Sequence, residues 1–139
     1  MTNGVRTELL LCVIRWKLFG YRRSHEDQLC ERPVSLIDLY PTLLELCALP
    51  ERDGLDGQSL VPLLQHPQKE WERPVLMTYG YKNHAIQTER WRYIQYHDGG
   101  EELYDHAVDP HEWNNLASIS AAVPVIRELR KSLPAENRP

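Results

Sequence analysis

The 139-residue sequence contains no apolar run approaching the roughly 18 residues that a bilayer span needs, so no membrane-spanning helix and no membrane partner are expected. It has no basic excess either. Sixteen Lys and Arg stand against 20 Asp and Glu, for a formal net charge of −4. A nucleic-acid binder neutralises phosphates with basic surface, so that class of partner is not expected. Cysteine is scarce and unpatterned: Cys12, Cys30 and Cys47 form no CxxC pair, so zinc spacing is lacking. Cys12 and Cys30 could pair in an oxidising compartment, but nothing in the sequence demands it. Cys47 lies in an apolar helical pattern and reads as a small buried hydrophobe. There is no internal repeat and no low-complexity tract. The apolar stretch Leu9–Ile14 is short for a signal-peptide core of roughly 7–15 residues, and Arg15 and Lys17 follow it where small residues should stand. No signal peptide is read; the stretch reads as a buried strand.

What is present is enough for a modest core. The apolar fraction is 42%, and four Trp and seven Tyr argue against disorder. The length suits one domain at most. Charge is uneven: residues 1–32 hold six basic and four acidic side chains, a net of +2, and residues 33–139 a net of −6. Pro33 opens a helical unit. Ser35 is a plausible N-cap with Asp38 in the first turn, and Leu36, Leu39, Leu43, Leu46 and Cys47 recur at helical spacing up to Pro50. Ile37, Tyr40 and Leu44 widen that apolar face. Pro41 predicts a bend or a restart, with itself at the first position of a new helix. Two Asp-Gly pairs make residues 51–58 a turn-rich loop, and Ser59–Leu64 reads as a short helix capped by Ser59. The proline-bounded polar stretch from His66 to Pro74 is a candidate boundary, with His66 as a linker residue.

Beyond it the period becomes two. Val75–Tyr79, Asn83–Thr88, Trp91–Tyr96 and Glu102–Asp105 are predicted strands, and Asp98-Gly99-Gly100 is a hairpin turn. Val123–Leu133 is predicted as an amphipathic helix with Val125, Ile126, Leu129 and Leu133 on one face. The expected fold class is therefore α+β: a small antiparallel sheet with a C-terminal helix. Arg90 and Arg92, two apart, share one strand face opposite Trp91 and Tyr93. They read as an exposed charged face over an aromatic core, neutralised by Glu101, Glu102 or Asp105, or as a fork for a sulfate or uronate. Glu102 and Asp105 fall on opposite faces and read as structural rather than as a catalytic pair. Asp109 reads as an acceptor of turn N–H groups. His97, His106 and His111 have no metal-ligand spacing.

Several ordered blocks carry a resemblance. Asp38-Leu39-Tyr40-Pro41-Thr42 resembles the D-x-x-P-T helix late in type I sulfatases, and Gly57-Gln58-Ser59-Leu60-Val61-Pro62-Leu63-Leu64 their G-x-S-L-x-P-L-L segment. Arg90–Ile94, Glu102–Asp105, Asp109–Glu112 and Asn115-Leu116-Ala117 resemble the closing R-x-x-Y-I, E-L-Y-D, D-P-x-E and N-L-A pattern. Residues 33–134 thus resemble the C-terminal portion of a type I sulfatase. Val13-Ile14-Arg15-Trp16 extends this toward iduronate-2-sulfatase-like members, where Lys17-Leu18-Phe19-Gly20 replaces the usual Pro-Gly.

The resemblance implies an alkaline-phosphatase-like parent enzyme, a sulfuric ester hydrolase. It divides the chain into residues 1–32, a diverged or truncated segment with one strand; residues 33–73, the last helices of the catalytic α/β domain; and residues 74–139, the C-terminal subdomain. It implies calcium and a formylglycine for the complete enzyme, whose hydrated aldehyde attacks sulfate while metal and cationic groups stabilise the developing charge. The C/S-x-P/A-x-R motif that formylglycine needs is met at none of the three cysteines, so no cofactor, no metal ligand and no catalytic residue is assigned to this chain. Its partners would be the missing N-terminal catalytic portion and, in the complete enzyme, a sulfated small molecule or glycan. The chain alone is expected to be inactive. Complete homologues are often periplasmic, secreted or lysosomal. The loop Gly80–His84 is implied to face the cleft, with Lys82, Asn83 and His84 as substrate-binding candidates; read by itself it is a solvated hairpin connection. The alternatives are a non-catalytic carbohydrate-binding or interaction module, or a gene relic.

Overall fold

The structure is a computed structural model and describes Cys30 and residues 32–137. The strand read at Leu9–Ile14 and the Cys12 thiol lie outside the described residues. The described chain forms two compact units. One contains Val34–Gln68, and the other residues 69–137 with Arg32 and Pro33. The division falls after Gln68, inside the proline-bounded stretch.

The first unit opens with a 3-10 turn, Leu36–Asp38, continued by α1, Leu39–Leu46. Ser35 is the extended N-cap residue, and its N–H donates to the Asp38 carboxylate at 2.9 Å. Pro41 is the third residue of α1, not the start of a new helix. It is tolerated there because first-turn N–H groups lack intrahelical acceptors anyway. The helix stops at Leu46, three residues short of the expected end. Ala48 adopts φ 52°, its N–H donates to Glu45 O at 3.1 Å, and the Leu49 N–H reaches Leu44 O at 2.9 Å. That is a left-handed helix terminus made without glycine. Cys47 sits at this end and is exposed, which corrects its reading as a buried hydrophobe.

Between Leu36 and Leu46 the fully buried side chains are polar, and the leucines Leu39, Leu44 and Leu46 are only half-buried. Asp38 and Thr42 are buried, at 0% and 2% exposure, while Leu36, Ile37 and Leu43 are exposed. The two polar side chains answer backbone donors from the following loop. Asp38 Oδ1 accepts the Gln58 N–H at 2.9 Å, and Thr42 Oγ1 accepts the Leu60 N–H at 2.9 Å. Gly57 lets that loop close: a Cβ there would lie 2.1 Å from Ile37 O. Helix α2, Val61–Gln65, follows, with Pro62 in its first turn and Ser59 Oγ accepting the Val61 N–H at 3.2 Å.

The second unit is a four-stranded antiparallel meander in the order β1-β2-β3-β4. Its strands are β1 Val75–Thr78, β2 His84–Gln87, β3 Trp91–Gln95 and β4 Glu101–Asp105. Successive side chains alternate between the two faces, and the apolar core lies on one of them. Leu76, Ile86, Tyr93 and Leu103 are aligned across the sheet by its register. Ile86, Tyr93 and Leu103 are fully buried and form a core with Ala122, Ile126 and Leu129. The last two project from α3, Val123–Arg130, which follows a 3-10 turn at Ser120–Ala122. Val125 and Leu133 pack against the same core, as the helical spacing requires.

Candidate functional site

The β1–β2 connection holds the three substrate-binding candidates. Gly80 at φ 61° and Lys82 at φ 60° turn the chain through two left-handed positions. Glycine adopts this conformation freely, and lysine does so at a cost. The Asn83 side chain holds the loop: its Nδ2 donates to Tyr81 O at 3.1 Å and its Oδ1 accepts the His97 N–H at 3.1 Å. The second bond ties the β1–β2 loop to the end of β3. His84 begins β2 and is buried. Its Nδ1 lies 2.9 Å from Thr78 Oγ1, its cross-strand partner, and its Nε2 lies 2.6 Å from Asn137 Oδ1. The polar atoms of Asn83 and His84 are thus engaged inside the protein. Lys82 is exposed, with its ammonium 5.0 Å from the Tyr81 ring centre. Tyr79 and Tyr81 are exposed at 63% and 52%, so this end of the sheet presents two phenol rings and a cation to solvent.

The paired arginines separate at the start of β3. Arg90 stands one residue before the strand. Its Nε and Nη2 donate to Asp105 at 2.9 and 2.7 Å, and its guanidinium lies 4.6 Å from the Trp91 ring centre. Asp105 was among the expected neutralisers. The Arg90 bond, helped by the Ala107 N–H, holds its carboxyl below the usual range. Arg92, 8% exposed, pairs with Glu112 instead, at 3.0 and 3.2 Å from Nη1. Spacing alone missed this partner, because Glu112 lies 20 residues away in a turn. Glu112 has φ 57°, and its carboxylate also meets His106 Nε2 at 2.7 Å. His106 Nδ1 lies 3.3 Å from Gln87 Nε2. Gln87 and Arg92 face each other across β2 and β3, and Gln87 Oε1 and Arg92 Nε carry no hydrogen bond.

Glu101 completes the acidic set. It accepts from Tyr93 Oη and the Arg130 guanidinium. Burial pushes its carboxyl up, and the bonds from Arg130 and Tyr93 outweigh burial and leave it lowered. Glu102 and Asp105 lie on opposite sheet faces, as their spacing requires, with Glu102 accepting from Tyr104 Oη at 2.9 Å. Asp109 Oδ2 accepts the Asn114 N–H at 2.8 Å, which lowers its carboxyl. His111 stacks on Trp113 with ring centres 5.2 Å apart. Among the described residues no three His, Cys, Asp or Glu side chains converge as metal donors. A calcium ion needs several convergent oxygens, and these carboxylates are each committed to arginines, hydroxyls or backbone. The described residues do not fit the ion that the family resemblance implies.

The sheet and its helix define a class, the C-terminal domain of sulfatases in the alkaline-phosphatase-like group. The family model described as N-sulphoglucosamine sulphohydrolase, C-terminal, matches residues 12–138, and the chain belongs to that family. A sulfatase of Formosa agariphila is 40% identical over 107 residues, covering 77% of this chain and 21% of the relative. Arylsulfatase K of Gallus gallus is 35% identical, covering 60% of this chain and 18% of that one. A solved structure in complex with its substrate D-glucosamine-2-N,6-O-disulfate is 25% identical with a TM-score of 0.59, over 68% of this chain and 22% of that one. The chain thus spans about a fifth of the length of these relatives. The broad reading as sulfatase C-terminal sequence holds, and the finer likeness to iduronate-2-sulfatase is not singled out.

Proposed function

We propose that this chain serves in a sulfatase that hydrolyses sulfate esters of sugars. In this reading it shapes one wall of the substrate pocket, while the formylglycine nucleophile and the calcium ion reside in residues other than these. The observation that carries it is the family match over residues 12–138. The residue chemistry agrees, since Glu101, Glu102, Asp105, Asp109 and Glu112 act as structural acceptors. Lys82 would grip an anionic group of the sugar through charge-assisted hydrogen bonds. Asn83 and His84 would act as positioning residues that hold the loop. The substrate named for the disulfated-glucosamine enzyme supports a sulfated sugar as the ligand class.

A chimera tests this reading: residues 33–137 replace the matching segment of the Formosa agariphila sulfatase, and sulfate release from a sulfated glucosamine is measured. The chimera should turn over, and Lys82→Ala in it should raise KM about tenfold while leaving kcat unchanged. A folded chimera without turnover, or an unchanged KM in Lys82→Ala, overturns the proposal. Sulfate release by the 139-residue chain alone would overturn the assignment of the nucleophile elsewhere. Glycan binding by the chain together with an inactive chimera would favour a non-catalytic carbohydrate-binding module.

A further inference from the structure

At the sheet end opposite Lys82, a cleft of about 440 Å³ opens beside the β2–β3 turn. That volume lies within the range of small-molecule sites. Trp71, half-buried in the segment before β1, is the one aromatic residue among those lining it. Glu70, Glu72 and Glu89 line the cleft together with Arg32 and Arg90. Arg32 is ion-paired with Glu89, and Arg90 is forked onto Asp105. Arg73 adds a third guanidinium, so three guanidinium groups and three carboxylates line the cleft and its formal charge is zero. A net-neutral rim gives no Coulomb preference to a sulfate. It does place donors and acceptors beside an aromatic side chain. A pyranose ring matches that combination, because its C–H face packs on an indole while its hydroxyls both donate and accept.

We propose that the Trp71 cleft binds an uncharged sugar ring of a polymeric substrate. The proposal deepens the reading of the chain as part of a sugar sulfatase and rests on it for the choice of ligand. Strands of four residues separate the cleft from the β1–β2 loop, a span of about 13 Å. The cleft would therefore hold a ring some units along the chain from the one whose sulfate Lys82 grips. A site of this kind raises affinity for long substrates through effective concentration, with no change in the chemical step.

The probe is tetra-N-acetylchitotetraose, an uncharged oligosaccharide, titrated into the 139-residue chain while the indole N–H of Trp71 and the amide of Glu89 are followed by NMR. Trp71→Phe identifies the indole signal and keeps an aromatic ring in the lining. Both signals should shift and saturate, Trp71→Ala should weaken binding about tenfold, and Lys82→Ala should leave it unchanged. No shift at about 10 mM sugar overturns the proposal, as do shifts confined to residues 79–83 or an unaltered affinity in Trp71→Ala. Amide spectra of the variants report whether the fold survives. An inactive chimera with the Trp71 shift intact defeats the sulfatase reading alone; an active chimera with no shift defeats the sugar cleft alone.

Discussion

Gly57 is fixed by lack of space. A methyl group there would meet Ile37 O at 2.1 Å and the Ile37 carbonyl carbon at 2.7 Å, and backbone cannot swing aside as a side chain can. Gly57→Ala should therefore push the loop off Asp38, strip the Gln58 and Leu60 N–H groups of their buried acceptors, and cost about 1–3 kcal/mol or more. Urea denaturation checks this, and an unchanged midpoint would contradict the close approach. Ala48 is the opposite case. A left-handed alanine costs about 1–2 kcal/mol that glycine avoids, and the two terminal helix bonds stay in place when the methyl is removed. Ala48→Gly is expected to stabilise by about 0.5–1 kcal/mol after the added freedom of the unfolded glycine is counted, read as a raised Tm.

At the level of elements, the second unit was legible and the first was only half so. The change of period and the bounding turn signals placed all four strands within a residue or two, because the sheet's core residues Ile86, Tyr93 and Leu103 share one face. Val125, Ile126, Leu129 and Leu133 likewise announced α3. The α1 region misled because apolar spacing says which residues share a stripe, not which stripe is covered. There the buried side chains are Asp38 and Thr42, selected by N–H groups of Gln58 and Leu60, 20 and 18 residues further on. No local pattern contains those partners. The same limit hid the Arg92–Glu112 pair and the burial of His84, whereas Asp105 was found because the hairpin sets it near Arg90.

The Arg90–Asp105 link fastens the β2–β3 turn to the end of β4, and it gives the sheet a pH dependence. Asp105 is lowered below its ordinary 3.8, first by the Arg90 bond. A carboxyl lowered in the folded state contributes stability that is whole above its unfolded value and fades as pH falls through the folded one. The contribution should thus be constant at neutral pH, begin to fade below about pH 3.8 and be lost only as pH falls through the lower folded-state value. Asp105→Asn should lower the urea midpoint at pH 7 and flatten this part of the acid limb. A variant that keeps the wild-type profile down to pH 3 would show that the link adds nothing.

For the molecule as a whole, the decisive quantity is apolar surface left in water. Leu36, Ile37 and Leu49 are exposed at 60%, 53% and 54%, and Tyr40, Leu43 and Leu55 add to them within the same unit. Isolated exposed leucines are ordinary, but a set concentrated in some twenty residues is not. At about 25 cal/mol per Å², covering a few hundred Å² would gain several kcal/mol, enough to drive association of a purified chain. The 139-residue protein should bind a hydrophobic dye in its native state and sediment as concentration-dependent species. Leu36→Lys combined with Ile37→Glu changes only exposed positions, so it should reduce dye binding and association while the unfolding midpoint moves little. A monomer with a sharp urea transition and no dye signal would mean that these side chains are not presented to solvent together.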